Sequence, residues 1–346
     1  MCASDGSPLD ALPRPAEGEA VDQIHLEPVD EVVVTTLVDN TFDALLPPQD
    51  GVERASFSAG LAVAPQFDVG ATAVGLVAEH GFAALVTVRR GDRTTTVLFD
   101  TGLSPHGMTT NAERLEVDWS SVQGVVLSHG HFDHAGGFAG LAERTRSMPM
   151  TVHPGVWTKR RLAPPGVDPA AFPTLTRKAL EGEGFQVVER RQPSLLLEGS
   201  VLVTGEIDRV TDFERGMPPP HQALVGGKWV HDPLVIDDQA LVVHVRGRGL
   251  VVVTGCGHGG AINIARHAMR LTGVPRLHAL LGGFHLGGPA FEPVIPPTVA
   301  ALRELAPALL VPGHCTGWRA QHDLAAAFPD AWVPGAVGSR YSVTAA

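Results

Sequence analysis

Val125-Val126-Leu127-Ser128-His129-Gly130-His131-Phe132-Asp133-His134-Ala135-Gly136-Gly137 runs from an apolar strand into four metal-ligating side chains within six positions. In an extended segment, residues two apart point to the same side, so His129 and His131 can hold one ion together. Asp133 and His134 follow where the chain is expected to turn into a helix, within reach of a second ion nearby. Imidazole nitrogens plus one carboxylate suit Zn, and also Mn, Fe or Ni. Gly130, Gly136 and Gly137 permit the tight backbone path and close packing that such a turn needs.

One loop cannot complete two coordination spheres, and three other apolar strands end in the same way. Val251-Val252-Val253-Thr254 leads to Cys256 and His258, Leu280-Leu281 to His285, and Leu309-Leu310-Val311 to His314 and Cys315. Each places a histidine in a Gly-rich turn at the presumed carboxyl end of a strand, where layered α/β proteins gather active-site groups. Other histidines, such as His25, His80 and His221, lack that setting and are expected to be structural or solvent-facing. No GxGxxG follows a strand and no Walker A pattern occurs, so a nucleotide cofactor is not expected. Ser128 stands beside His129 but outside any GxSxG elbow, so a serine triad is not expected either.

Further out, strand signals recur at Val32–Val38, Ala83–Val88, Thr95–Phe99, Leu195–Val203, Leu241–Val245 and Leu250–Thr254. Helical periodicity marks Ala261–Leu271, Pro297–Leu305 and Arg319–Phe328. The mixture predicts an α/β layered domain with two sheets buried between helices. Residues 1–30, rich in Pro, Glu, Asp and Ala, are expected to form a mobile N-terminal extension, with the domain spanning 31–346. Residues 155–235, strewn with Pro and Gly, are expected to form a cap over a substrate pocket.

The formal charge of -11 repels polyanions, so nucleic acid and anionic membranes are not expected as partners, leaving a small-molecule substrate. Three cysteines (Cys2, Cys256 and Cys315) give no disulfide framework. No apolar run reaches the length of a membrane span, and MCASDGSPLD lacks the pattern of a secretory signal, so a cytoplasmic location is expected. The oligomeric state is left open.

The run His129-Gly130-His131-Phe132-Asp133-His134 is similar to the HxHxDH signature of the metallo-β-lactamase superfamily. Leu37-Val38-Asp39-Asn40, Leu98-Phe99-Asp100-Thr101-Gly102, Asp237-Asp238-Gln239, Gly255-Cys256-Gly257-His258 and Gly313-His314-Cys315-Thr316-Gly317 narrow the likeness. They resemble the branch named for 7,8-dihydropterin-6-yl-methyl-4-(β-D-ribofuranosyl)aminobenzene 5'-phosphate synthase. The resemblance implies the four-layer αββα sandwich of that superfamily and two divalent metal ions, with Zn expected and Mn, Fe or Ni as alternatives. It implies His129 and His131 on one ion with His258 as candidate third ligand, and Asp133 and His134 on the other with His314.

Two departures stand out. Cys256 occupies the place where many superfamily hydrolases carry a bridging Asp, and Gly205-Glu206 the place where they carry a His in a turn. Cys256 is then a thiolate ligand or simply a small buried residue. His285 is open to three roles: metal ligand, proton donor near substrate, or support for the ligands. Asp100 is expected to orient a ligand histidine.

The implied reaction is hydrolysis by a metal-bound hydroxide of an ester, lactone, amide or phosphoester, with a pterin-related phosphorylated compound as one option. Asp133 would hold metal and nucleophile, and His285 would serve the leaving group. Two alternatives have other chemistry. An iron-dependent oxidoreductase on this fold would often carry HxExDH, against which His131 argues. A non-catalytic metal-binding sensor would not need so intact a ligand set.

Overall fold

The computed structural model describes residues 23–145 and 147–346. An eight-stranded sheet runs, in spatial order, Phe185–Glu189, Met148–Val152, Val122–Val126, Arg93–Phe99, Ala83–Arg90, Glu31–Val38, Arg340–Thr344 and Val52–Glu53. A six-stranded sheet runs Ser194–Leu196, Val201–Val203, Ala240–Val245, Gly249–Thr254, Leu277–Gly283 and Leu309–Gly313. Each is parallel where the site will form: Val122–Val126 pairs in parallel with Arg93–Phe99, and Gly249–Thr254 with Leu277–Gly283.

Side-chain alternation stacks these sheets into layers. In Gly249–Thr254 every residue is buried, because Val251 and Val253 face the first sheet while Leu250 and Val252 face helices. Val34, Val86, Val97 and Phe99 meet Leu241, Val243 and Leu281 between the sheets. Helices Ala261–Thr272, Ile295–Leu305 and Trp318–Ala327 cover the outer face of the second sheet, and Gly107–Arg114 and Phe138–Arg144 that of the first. Burying each Val, Leu or Phe contributes about 1.5–3 kcal/mol, so the four-layer αββα sandwich is held chiefly by these three apolar seams.

The helix Ala261–Thr272 shows how locally the pattern is set. Ile264, His267, Ala268 and Leu271 are buried on one side, and Gly273 closes the helix at φ 67°, a left-handed conformation that glycine adopts without strain.

Three expectations need correction. Leu195–Val203 is not one strand: Ser194–Leu196 and Val201–Val203 pair antiparallel across Leu197–Gly199, where Glu198-Gly199 supplies a turn inside an otherwise apolar run. The expected mobile extension, residues 1–30, lies largely outside the described residues, but its described end is packed. Leu26 and Val29 are buried, and the Ile24 and Val29 amides donate to the carbonyls of Leu271 and His244.

Residues 155–235 are not a single cap, since Phe185–Glu189 and Ser194–Val203 supply strands to the two core sheets. Two separate pieces of that span form a four-stranded sheet, Ala170–Ala171, Arg160–Leu162, His221–Val225 and Lys228–His231. Among the described residues, no helix is long and apolar enough to cross a membrane.

Candidate metal centre

The carboxyl ends of the strands from both sheets lie on one edge of the sandwich, and the turns that follow them carry the site. Val122–Val126 leads to Ser128 and His129, after which the short helix Phe132–Ala135 presents Asp133 and His134. Arg93–Phe99 leads to Asp100, Gly249–Thr254 to Cys256 and His258, Leu277–Gly283 to His285, and Leu309–Gly313 to His314. Asp100, His285 and His314 all adopt positive φ (61°, 47° and 47°), a conformation that costs a non-glycine residue about 1–3 kcal/mol and clusters at functional sites.

Four donors converge at one point. His134 Nε2 lies 3.2 Å from Cys256 Sγ and 3.2 Å from His314 Nε2, and Cys256 Sγ lies 3.3 Å from His314 Nε2. Asp133 Oδ2 lies 3.4 Å from His314 Nε2 and 3.8 Å from His134 Nε2. Bonds of ~2.0–2.3 Å to a tetrahedral ion would separate the ligand atoms by ~3.3–3.8 Å, close to this spacing.

The surrounding hydrogen bonds show what these nitrogens offer. His134 Nδ1 donates to Asp100 Oδ2 at 2.6 Å, and His314 Nδ1 donates to Asn40 Oδ1 at 3.1 Å, because Asn40 Nδ2 donates to the His314 carbonyl. When neutral, each imidazole therefore turns a lone pair inward, and the two lone pairs face each other. A cation between them removes that repulsion, so the donor set fits a bound metal ion.

The electrostatics agree. Burial opposes protonation of His134, but the Asp100 and Asp133 carboxylates outweigh it and push the group up to about 9, so without metal a proton sits where an ion would. Burial alone would raise the Asp133 carboxyl; His134 and His314 beside it hold it well below the usual range.

A second cluster adjoins the first. His129 Nε2 lies 3.0 Å from His131 Nδ1, and His258 Nε2 lies 3.1 Å from the same atom. His129 Nδ1 bonds to Ser128 Oγ at 2.8 Å, and that hydroxyl donates to Asp100 Oδ2 at 2.7 Å, so one carboxylate supports a histidine in each cluster. Burial, reinforced by neighbouring imidazoles and Arg160, pushes His129 and His131 well below their usual values; burial with His285 and His129 does the same for His258. Neutral imidazoles are the ligating form. Cys256 is grouped with the donors of both clusters, with His129 and His258 on one side and Asp133, His134 and His314 on the other.

Buried carboxylates hold these turns in place. Asp237 Oδ2 accepts from the Gly130 amide at 2.8 Å, and Asp238 Oδ2 from the Gly259 amide at 2.7 Å. Arg160, on the small sheet, pairs with Asp237 and donates to Asp232 Oδ2 at 2.9 Å. Asp39 Oδ1 accepts from the His314 amide at 2.9 Å.

The clusters open on a 470 Å³ cavity whose wall includes Leu162, Phe172, Phe132 and Met217, with His80 and His221 at its sides and, among the described residues, no Lys or Arg in its lining. A second cavity of 400 Å³, bordered by Phe213, Phe284 and Phe291, shares Met217, His258 and His285 with the first.

All six expected ligands, His129, His131, Asp133, His134, His258 and His314, therefore lie together, with Asp100 in the place expected of it. His285 sits beside them, its ring 4.3 Å from that of His258. Of the histidines expected to be structural or solvent-facing, His80 is exposed and His221 is buried, and both border the cavity. His80 Nε2 lies 3.6 Å from Asp133 Oδ2, and His221 Nε2 lies 3.1 Å from His131 Nε2. Neither follows an apolar strand, so the signal that found the others was missing; the nearest hint for His80 was the stretch Ala78-Glu79-His80-Gly81, itself similar to the family, and Asn40 Nδ2 contacts its Nδ1 at 3.1 Å.

Comparison with known proteins agrees with this geometry. The family model described as the metallo-β-lactamase superfamily matches residues 80–262. A protein of Methanocaldococcus jannaschii named 7,8-dihydropterin-6-methyl-4-(β-D-ribofuranosyl)-aminobenzene-5'-phosphate synthase is 29% identical over 248 residues, covering 70% of this chain and 83% of its own. An uncharacterised protein of the same archaeon is 26% identical over 246 residues, covering 70% and 86%. Among solved structures, a metal-dependent hydrolase of the β-lactamase superfamily superposes with a TM-score of 0.65 at 24% identity, covering 90% of this chain and 99% of its own.

Proposed function

Because the chain belongs to the metallo-β-lactamase superfamily, we propose that it is a metal-dependent hydrolase acting on a small ester, lactone or phosphoester. One observation carries the reading: two adjoining sets of inward-facing donors, 3.0–3.4 Å apart at their closest, form the floor of a single open cavity. Two divalent ions held there, with Zn suited to the nitrogen, sulfur and carboxylate set, would supply Lewis acidity and a water of lowered pKa.

The protein's own groups divide the remaining work. Asp133 stays anionic at neutral pH and can accept a hydrogen bond from an attacking water, fixing its direction. Leu162, Phe172 and Met217 exclude solvent and receive an apolar or flat substrate body. His285, bordering both cavities, is placed to hand a proton to a leaving group. Cys256 would add a sulfur donor to the set, a role that its distances to His134 and His314 support.

Flat-ring substrates are favoured by the aromatic wall, where Phe172 stands edge-on to His131 at 5.6 Å and to Phe132 at 5.6 Å. That wall and the synthase name of the 29% identical relative together support a dihydropterin-like phosphorylated compound as one candidate. Among the described residues the lining holds no Lys or Arg, so a phosphate there would depend on the ions for its anchor.

A panel of aryl esters, lactones and phosphoesters, run with the purified protein before and after chelation, tests the reading. Turnover of at least one class, lost on chelation and restored by added metal, is expected. No turnover of any class, with ions bound, would contradict it and favour a binding role.

A further inference from the structure

We infer that His221, on the small sheet, is a positioning residue for the first centre: it fixes the tautomer of His131 so that Nδ1 is the nitrogen presented to the ion. The inference rests on the metal-centre reading above and adds to it a residue and a role.

The hydrogen-bond chain runs in one direction. His221 Nδ1 lies 2.9 Å from the Asp232 carbonyl oxygen, which can only accept, so Nδ1 carries the proton. A neutral imidazole has one N–H, which leaves His221 Nε2 as an acceptor. That atom lies 3.1 Å from His131 Nε2, so His131 donates from Nε2 and keeps its lone pair on Nδ1. His131 Nδ1 is the atom that faces His129 Nε2 at 3.0 Å and His258 Nε2 at 3.1 Å.

The neighbours hold this geometry in place. His221 is 1% exposed, with its ring 5.3 Å from that of His131 and 6.1 Å from that of Phe172, so it cannot swing to solvent without opening the small sheet. Arg160 ties the same sheet to the loop by a separate line, binding Asp237, whose Oδ2 accepts from the Gly130 amide between the two loop histidines. The small sheet thus grips the His129–His131 loop twice, once by the backbone and once by the ring.

The test is metal affinity, read on full-length protein by competition with a chromophoric chelator, together with the visible spectrum of the cobalt-substituted form. His221→Phe keeps the ring volume and removes the acceptor. One of the two sites should weaken by about 10–100-fold while the other holds, with a changed cobalt spectrum. His221→Gln, whose Oε1 can replace the lost acceptor, should recover most of the affinity, whereas the shorter His221→Asn should not.

Native affinity at both sites in His221→Phe would overturn the inference, and so would equal weakening of both. If the Phe variant does not fold, the Gln and Asn pair decides, and a Gln variant no better than Asn would overturn it. Unmutated protein that takes up no ion would sink the metal-centre reading itself, a result visible before any variant is made.

Discussion

His134 and His314 each commit one nitrogen to an acceptor, and their other nitrogens meet at 3.2 Å. With both rings neutral that contact sets lone pair against lone pair, and either a proton on His134 or a metal ion relieves it. It follows that His134 governs how metal uptake depends on pH. In the metal-free protein its pKa stands at about 9, so near pH 7.5 it holds a proton that an arriving ion must displace. Affinity should therefore rise with pH and level off above about 9, and calorimetry in buffers of different ionisation enthalpy should detect the released proton. The sign for stability is the opposite. A histidine raised from 6.5 to about 9 stabilises the metal-free fold fully below pH 6.5, and that stability is lost as pH rises through 9.

His131→Ala should abolish turnover and empty the first centre while leaving the circular dichroism spectrum and the apolar seams unchanged. Full activity in that variant would remove His131 from the site. At this scale the sequence was legible wherever a candidate site residue followed an apolar strand, as His129, His258, His285 and His314 do. His80 and His221 were not, because they reach the site from a loop and from the small sheet, and only tertiary packing brings them there. Cys256 was ambiguous because a small buried thiol and a thiolate ligand look alike in sequence; the structure buries it and places its sulfur 3.2 Å from His134 Nε2.

Among the elements, packing rather than torsion decides where the loop glycines stand. Gly136 and Gly137 adopt φ of -68° and -83°, which any residue can take, so conformational freedom is not why they are glycine. Close approach is the reason. A Cβ on Gly136 would run into the Leu103 carbonyl, and one on Gly137 into the Thr101 carbonyl. Gly136→Ala should therefore cost about 3 kcal/mol or more in urea unfolding, since backbone rather than a movable side chain stands in the way. A variant as stable as the parent would show that Leu103 can yield. Strand and helix positions were largely legible from period two and period 3.6. The Leu195–Val203 run was misread because Glu198-Gly199 hides a turn inside an apolar stretch, and the small sheet because its strands are two to five residues long and separated by about fifty positions.

Across the whole molecule, the two core sheets place the carboxyl ends of strands from both halves of the chain on one edge, so the site is assembled from distant segments. Arg340–Thr344 pairs with Glu31–Val38 inside the first sheet, joining the end of the chain to the start of the domain. Asp39 and Asn40, directly after that strand, then hold His314. A layered α/β domain was legible from the strand and helix periods, whereas the order of eight strands in a sheet depends on long-range pairing that no local pattern encodes. The central claim, that this edge holds two ions, is tested most directly by elemental analysis of tag-free protein purified without added metal. Two ions per chain, Zn foremost, are expected; two irons would keep the centre but turn the chemistry toward redox, and no metal even after reconstitution would contradict the account.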